Sequence, residues 1–323
     1  MRKLIPVMLA AAMIFVVFAA TDTGSEASLT GTYINGQSAN YSTVVDQPNE
    51  HWKYDSSGLT ITGDSIFNNT AADGTTAYCI YDPVGPLNII LDADLTITAY
   101  DDTPGNTTLA IYSAGDINIT GTGKLIINHN DESHHIYQGL TAADSITIDG
   151  PSVEISSIFD ITASQVGWGS SFNMNGGSLN LIGSGTIDAE SVYIRGGTIT
   201  IDPSCGSERN QITAYSVHAT TNKIEMTGGK ISFANAKAND SLLIALGDSP
   251  VIDLHEATGK NWEKDDYRIK AVSDGPVTIE IRHNLRFMGM EVHHDDMPVV
   301  VAISAITAIV VLASITVLYL RRH

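Results

Sequence analysis

From Leu109 to Phe233 the chain restates one short phrase, and that repetition restricts its fold more than any other feature. Ala143-Asp-Ser-Ile-Thr-Ile-Asp-Gly150 has the form of Ala189-Glu-Ser-Val-Tyr-Ile-Arg-Gly196, and Ala114-Gly-Asp-Ile-Asn-Ile-Thr-Gly121 differs by one exchange. A second apolar stretch follows each copy, at 124–128, 152–156 and 198–202. Two looser copies end at Gly176-Gly177 and Gly228-Gly229 and lead into 178–182 and 230–233. With Ile119, Ile148, Met174, Ile194 and Met226 taken as equivalent, the steps are 29, 26, 20 and 32 residues, a ragged repeat in the range of solenoids. The Ile-x-Ile alternation has the strand period of two. Strands of four or five residues parted by tight turns fill a sandwich poorly. They fit an all-β fold in which a single chain winds as a parallel β-helix, each strand stacking on its counterpart one coil away. Glycine after each strand permits the positive φ of a sharp corner.

The remaining composition agrees. Only 16% of the 323 residues are charged and 28 are glycine, which suits turns better than helices. A formal net charge of −19 repels phosphate backbones and sets nucleic acid aside as a partner. Cys79 and Cys205 lie far apart, in no zinc-ligand spacing, and are expected to be two small buried residues rather than a disulfide.

Both ends read as export signals. Met1-Arg-Lys3 precedes an apolar run from Leu4 to Ala20, with small residues placed for cleavage after Ala19 or Ala27; the alternative is an uncleaved anchor. Pro298–Leu320 is 23 residues without a charge, long enough to span a bilayer core as a helix. Asp295-Asp296 before it and Arg321-Arg322 after it place the C-terminus in the cytoplasm. The expected order is a signal peptide (1–27), an N-terminal cap (28–57), the β-helix (58–236), a C-terminal cap (237–290), a stalk (291–297), a membrane helix (298–320) and a cytoplasmic tail (321–323). Caps are expected because a terminal coil has no neighbour to cover its apolar face. Residues 242–246 and 251–254 are candidates for a last coil, and 277–281 for a further strand.

On Leu109-Ala-Ile-Tyr-Ser-Ala-Gly-Asp-Ile-Asn-Ile-Thr-Gly-Thr-Gly-Lys-Leu125 and the later Asp/Glu-Ser-Ile/Val-x-Ile-x-Gly copies, the chain resembles carbohydrate-binding β-helix proteins related to polysaccharide lyases, and adhesin-like surface proteins of methanogenic archaea. The resemblance covers about half the chain and implies a right-handed parallel β-helix, bound calcium and binding to plant-type polysaccharides. The coils here vary more in length and carry fewer Asp-Gly-Ile turns than that family repeats.

Catalysis finds little footing. Asp265-Asp266 and Arg268-Ile269-Lys270 crowd into one charged segment, whereas acid–base work needs groups brought together from several coils. A lyase needs a basic residue. Between residues 27 and 194 only Lys53 and Lys124 occur, which leaves Arg195 as the candidate. His129, Asp131, Glu132, His134 and His135 share a loop that suits either a transition metal or plain solvent exposure. Asp116, Asp144 and Glu190 hold corresponding places in the repeated phrases. Stacked one strand apart they would repel one another, and a calcium ion would relieve that.

For carbohydrate, Tyr112, Tyr137, Trp168 and Tyr193 are the aromatic candidates near the coils. Five Asn-x-Ser/Thr sites, at Asn40, Asn68, Asn106, Asn118 and Asn239, are candidates for glycosylation. The leading expectation is a membrane-anchored, non-catalytic surface protein that recognises a polysaccharide or a cell-surface glycan. A polysaccharide lyase or hydrolase and a structural envelope protein are the alternatives.

Overall fold

The computed structural model describes residues 29, 31–39, 45–98, 106–128, 136–157, 159–163, 170–183, 185–202, 211–215, 222–281, 285–287 and 290–292. The expected signal peptide, membrane helix and tail, with Asn40, Trp168, Cys205 and the 129–135 histidine loop, lie outside them. Among the described residues no helix is long and apolar enough to cross a membrane.

The protein is an all-β solenoid with three sheets, each coil giving one strand to each. One coil supplies Thr107–Ser113 to the first sheet, Ile117–Gly121 to the second and Lys124–Ile127 to the third. The next supplies Gln138–Ala142, Ser145–Asp149 and Ser152–Ile155, each parallel to its predecessor. The expected equivalences hold residue for residue: Ile119 faces Ile148, Ile148 faces Met174, Met174 faces Ile194 and Ile194 faces Met226. Lys124, Ser152, Ser178, Thr198 and Lys230 align in the same way on the third sheet.

These rows form the core. Alternate residues of each short strand turn inward and are buried. Stacked on their counterparts they make one continuous apolar column. Burying each such Ile, Leu or Val contributes about 1.5–3 kcal/mol relative to exposure. One inner row of the first sheet, after Asp82 and Ser113, is alanine on five successive coils: Ala142, Ala163, Ala189, Ala214 and Ala245. It adjoins the corner into the second sheet, where Ala189 and Ser191 are parted by Glu190 alone.

The raggedness of the repeat is confined to particular corners. Two or three residues part the second-sheet strand from the third-sheet strand in each coil from Ile117 to Ala236. The links into the first sheet and out of it take up the variation. The constant corner is built on glycine. Gly177, Gly197 and Gly229 stand one above another with φ of 77°, 74° and 78°. A Cβ on Gly177 would collide with the Pro151 carbonyl oxygen of the coil below.

The parallel stack continues beyond residue 236, through Ser241–Ala245 and Val251–Asp253. Antiparallel strands close both ends. Val45–Gln47, Trp52–Asp55 and Gly58–Ile61 form a meander, and Gly58–Ile61 pairs parallel with Leu87–Leu91 on its other side. Thr32–Ile34 runs antiparallel to Thr76–Asp82. At the far end Gly275–Glu280 turns back along Lys230–Ala236, and Arg268–Ala271 along Ser241–Ala245.

Candidate functional site

The outer surface of the first sheet carries a cluster of tyrosines at its N-terminal end. Tyr112 lies directly beside Tyr81, and Tyr81 beside Tyr33 of the antiparallel strand. The Tyr81 and Tyr112 rings stack, with centroids 5.5 Å apart and planes 15° apart. Tyr78 leans on both, at 4.6 Å from Tyr81 and 5.6 Å from Tyr112. All four are half-buried. Burial raises the pKa of the Tyr78, Tyr81 and Tyr112 phenols above the ordinary tyrosine range, with neighbouring phenols and Asp73 adding to the effect at Tyr78 and Tyr81. These three phenols are therefore uncharged at neutral pH, and they offer aromatic faces and hydroxyl groups that donate and accept.

Tyr78 and Tyr81 share a face although they are three residues apart. Strand alternation breaks between them, where Cys79 and Ile80 are both buried. The Cys79 thiol is free, and burial holds its pKa far above normal. Tyr78 and Tyr81 are absent from the sequence-based candidates. The signal that marks one of them is the Ile80-Tyr81 pair, which returns as Ile111-Tyr112 on the next coil.

The structure separates the remaining aromatic candidates. Tyr137 enters the first-sheet strand after Tyr112's, its N–H bonded to the Thr108 carbonyl at 2.8 Å. Tyr193 lies on the second sheet, between Asn173 and Glu225, with the Arg195 guanidinium 4.8 Å from its ring centroid.

The three acidic candidates do not stand on consecutive rungs. Ile117 faces Ile146, so Asp116 lies opposite Ser145, and its Oδ1 accepts from the Ser145 N–H at 3.0 Å. Asp144 lies opposite Gly115 instead. The coil of Ser170 intervenes between Asp144 and Glu190, the Glu190 N–H reaching Ser170 Oγ at 3.4 Å. Similar phrases had suggested a shared place, but the corner slides by one residue between them. Among the described residues no group of three or more His, Cys, Asp and Glu side chains is gathered as metal ligands.

The charged segment near residue 265 is internally paired. Arg268 Nε meets Asp265 Oδ2 at 2.6 Å and Lys270 Nζ meets Glu263 Oε1 at 2.6 Å, across a hairpin. Of the glycosylation candidates, Asn68 is exposed and Asn239 occupies a turn with φ of 72°. Asn106 is half-buried before a strand, and Asn118 lies within one, its Nδ2 donating to Asn88 Oδ1 of the preceding coil at 3.1 Å.

One acid is built into the interior. Asp160, fully buried, accepts from the Ser157 N–H and hydroxyl on one oxygen, and from the Gly185 N–H of the next coil at 2.7 Å on the other. Burial pushes its pKa up to about 6, against these donors and the Thr186 N–H, which favour the ionised form. It ties two coils together at a corner.

No protein-family model matches the chain, and neither a curated protein nor a solved structure does.

Proposed function

We propose that the protein is a non-catalytic, membrane-anchored surface protein whose β-helix, right-handed as the family resemblance implies, binds a polysaccharide or cell-surface glycan. The observation that carries this reading is the Tyr33, Tyr78, Tyr81 and Tyr112 platform. Aromatic faces ringed by hydroxyls suit the C–H face of a pyranose ring together with its hydroxyl groups. Side chains recurring at the strand spacing of about 4.8 Å suit a chain-like ligand lying along the coils. The charged N-terminus with its apolar run, and the Pro298–Leu320 segment before Arg321-Arg322, support export and a type I anchor. Calcium remains part of the proposal as a bridge between acidic surface and ligand.

The test is a glycan array probed with the full chain in lipid nanodiscs, with and without calcium. Binding without cleavage products is expected. Tyr81→Ala and Tyr112→Ala should each weaken it at least tenfold, whereas Tyr267→Ala, an exposed tyrosine elsewhere, should not. Release of shortened glycan would favour a polysaccharide lyase or hydrolase, and absence of binding a structural role in the envelope.

A further inference from the structure

On the second sheet, one arginine is held in place without its charge being answered. Arg195 directly follows the strand Ser191–Ile194, two residues beyond Tyr193, so the two emerge on the same face. Its guanidinium carbon lies 4.8 Å from the Tyr193 ring centroid, within cation–π range. Nη1 donates to Asn173 Oδ1 at 2.9 Å and to Asn175 Oδ1 at 3.4 Å, both on the preceding coil. Asn173 is itself oriented, because its Nδ2 donates to Ser171 Oγ at 2.8 Å and that hydroxyl donates to Ser145 Oγ at 3.0 Å. Five side chains on three coils (Tyr193; Asn173, Asn175 and Ser171; Ser145) thus fix the arm of an exposed arginine.

The acceptors that hold it are neutral. Lys53, Lys124, Lys223, Arg268 and Lys270 each have a carboxylate partner, while Arg195 has none among the described residues. In its own row the acid is Asp149, two strands away or about 10 Å. In the adjoining row Glu225 is taken by Lys223. The Nε and Nη2 hydrogens donate to no described protein group. That edge of a guanidinium is the one that receives a planar carboxylate through two parallel hydrogen bonds. The chain as a whole is strongly acidic, but screening over about 8 Å at physiological ionic strength leaves the immediate neighbourhood to decide the contact. Beside it, Asn88, Asn118, Thr147 and Asn173 continue one outward row that can bond sugar hydroxyls.

We propose that Arg195, held by Tyr193, Asn173 and Asn175, is the carboxylate-recognition point of a second subsite, which takes a uronate-bearing glycan along the second sheet. This rests on the carbohydrate-binding reading above and narrows its ligand class to acidic polysaccharide. Because the arm is already ordered, little side-chain entropy is lost on binding.

The experiment titrates the full chain in nanodiscs with an oligouronate and with the same oligosaccharide after carboxyl reduction. The wild type should prefer the oligouronate by at least tenfold. Arg195→Gln should erase that preference while leaving affinity for the reduced sugar, and Arg195→Lys, with charge but no fork, should fall between. Equal wild-type affinity for the two sugars, or a preference that survives in Arg195→Gln, overturns the assignment and leaves the tyrosine platform standing. Binding of neither sugar overturns it together with the carbohydrate reading.

Discussion

The middle of the solenoid and its two ends are held by different means. Between Ile117 and Ile201 each strand pairs with the coil on either side, and the inward residues are mostly aliphatic, with Phe172 an aromatic among them. At the N-terminal end the sheet turns antiparallel and large aromatics take over. Trp52 and Tyr54 are buried, Trp52 lies edge-on to Phe67 at 6.0 Å, and its indole N–H bonds Glu50 at 2.9 Å. Asn35 Oδ1 accepts the Asn68 and Asn69 N–H groups at 3.0 and 2.9 Å. At the C-terminal end Lys264 Nζ covers the Ile252 carbonyl of the last second-sheet strand at 2.6 Å. An interior coil inherits its partners from its neighbours, whereas a terminal one must supply specific side chains to cover an apolar face and an open strand edge.

That contrast can be broken by substitution. Trp52→Ala should cost about 4 kcal/mol, seen as a large loss in denaturant midpoint, because it opens a cavity where no further coil can collapse onto it. A cost near that of a middle-coil methyl deletion would remove the distinction. Asp160 examines a corner of the middle. Its folded pKa of about 6 lies above the unfolded 3.8, so the folded state holds the proton more tightly. The stability this gives is present below about pH 4 and is lost as pH rises through 6. The wild-type stability relative to Asp160→Asn should therefore fall by about 2.5 kcal/mol from pH 4 to pH 7. A difference that stays level across that window would show that the carboxyl is not perturbed.

Gly177→Ala should cost about 2 kcal/mol, since alanine is strained at φ of 77° and its Cβ meets the coil below. If thermal unfolding is unchanged, the glycine corner is not the constraint that keeps that link short. The smallest effect belongs to the middle itself. Ile148→Val should cost about 1 kcal/mol, because Ile119 and Met174 close in from the adjoining rungs.

Much of this architecture was legible in the sequence, and particular residues show where legibility stopped. The column from Ile119 to Met226 could be read because alternating apolar residues before glycine have only one way to face inward. The acidic ladder could not, because Gly115-Asp116 and Asp144-Ser145 look alike yet differ by one place, and only backbone pairing settles a one-residue slip. The tyrosine platform was half visible. A period of two places Tyr78 and Tyr81 on opposite faces, and the break at Cys79-Ile80 that brings them together leaves no mark in the hydrophobic pattern.

The order of residues alone determined that short strands would stack in parallel, which residues would line the column, and where corners would require glycine. Those follow from local periodicity and backbone sterics, which need no knowledge of neighbours. Tertiary structure alone decided which outward side chains meet. Tyr81 reaches Tyr112, and Arg195 reaches Asn173, across coils whose separation along the chain varies with every loop, so their encounter depends on the winding and not on spacing in the sequence.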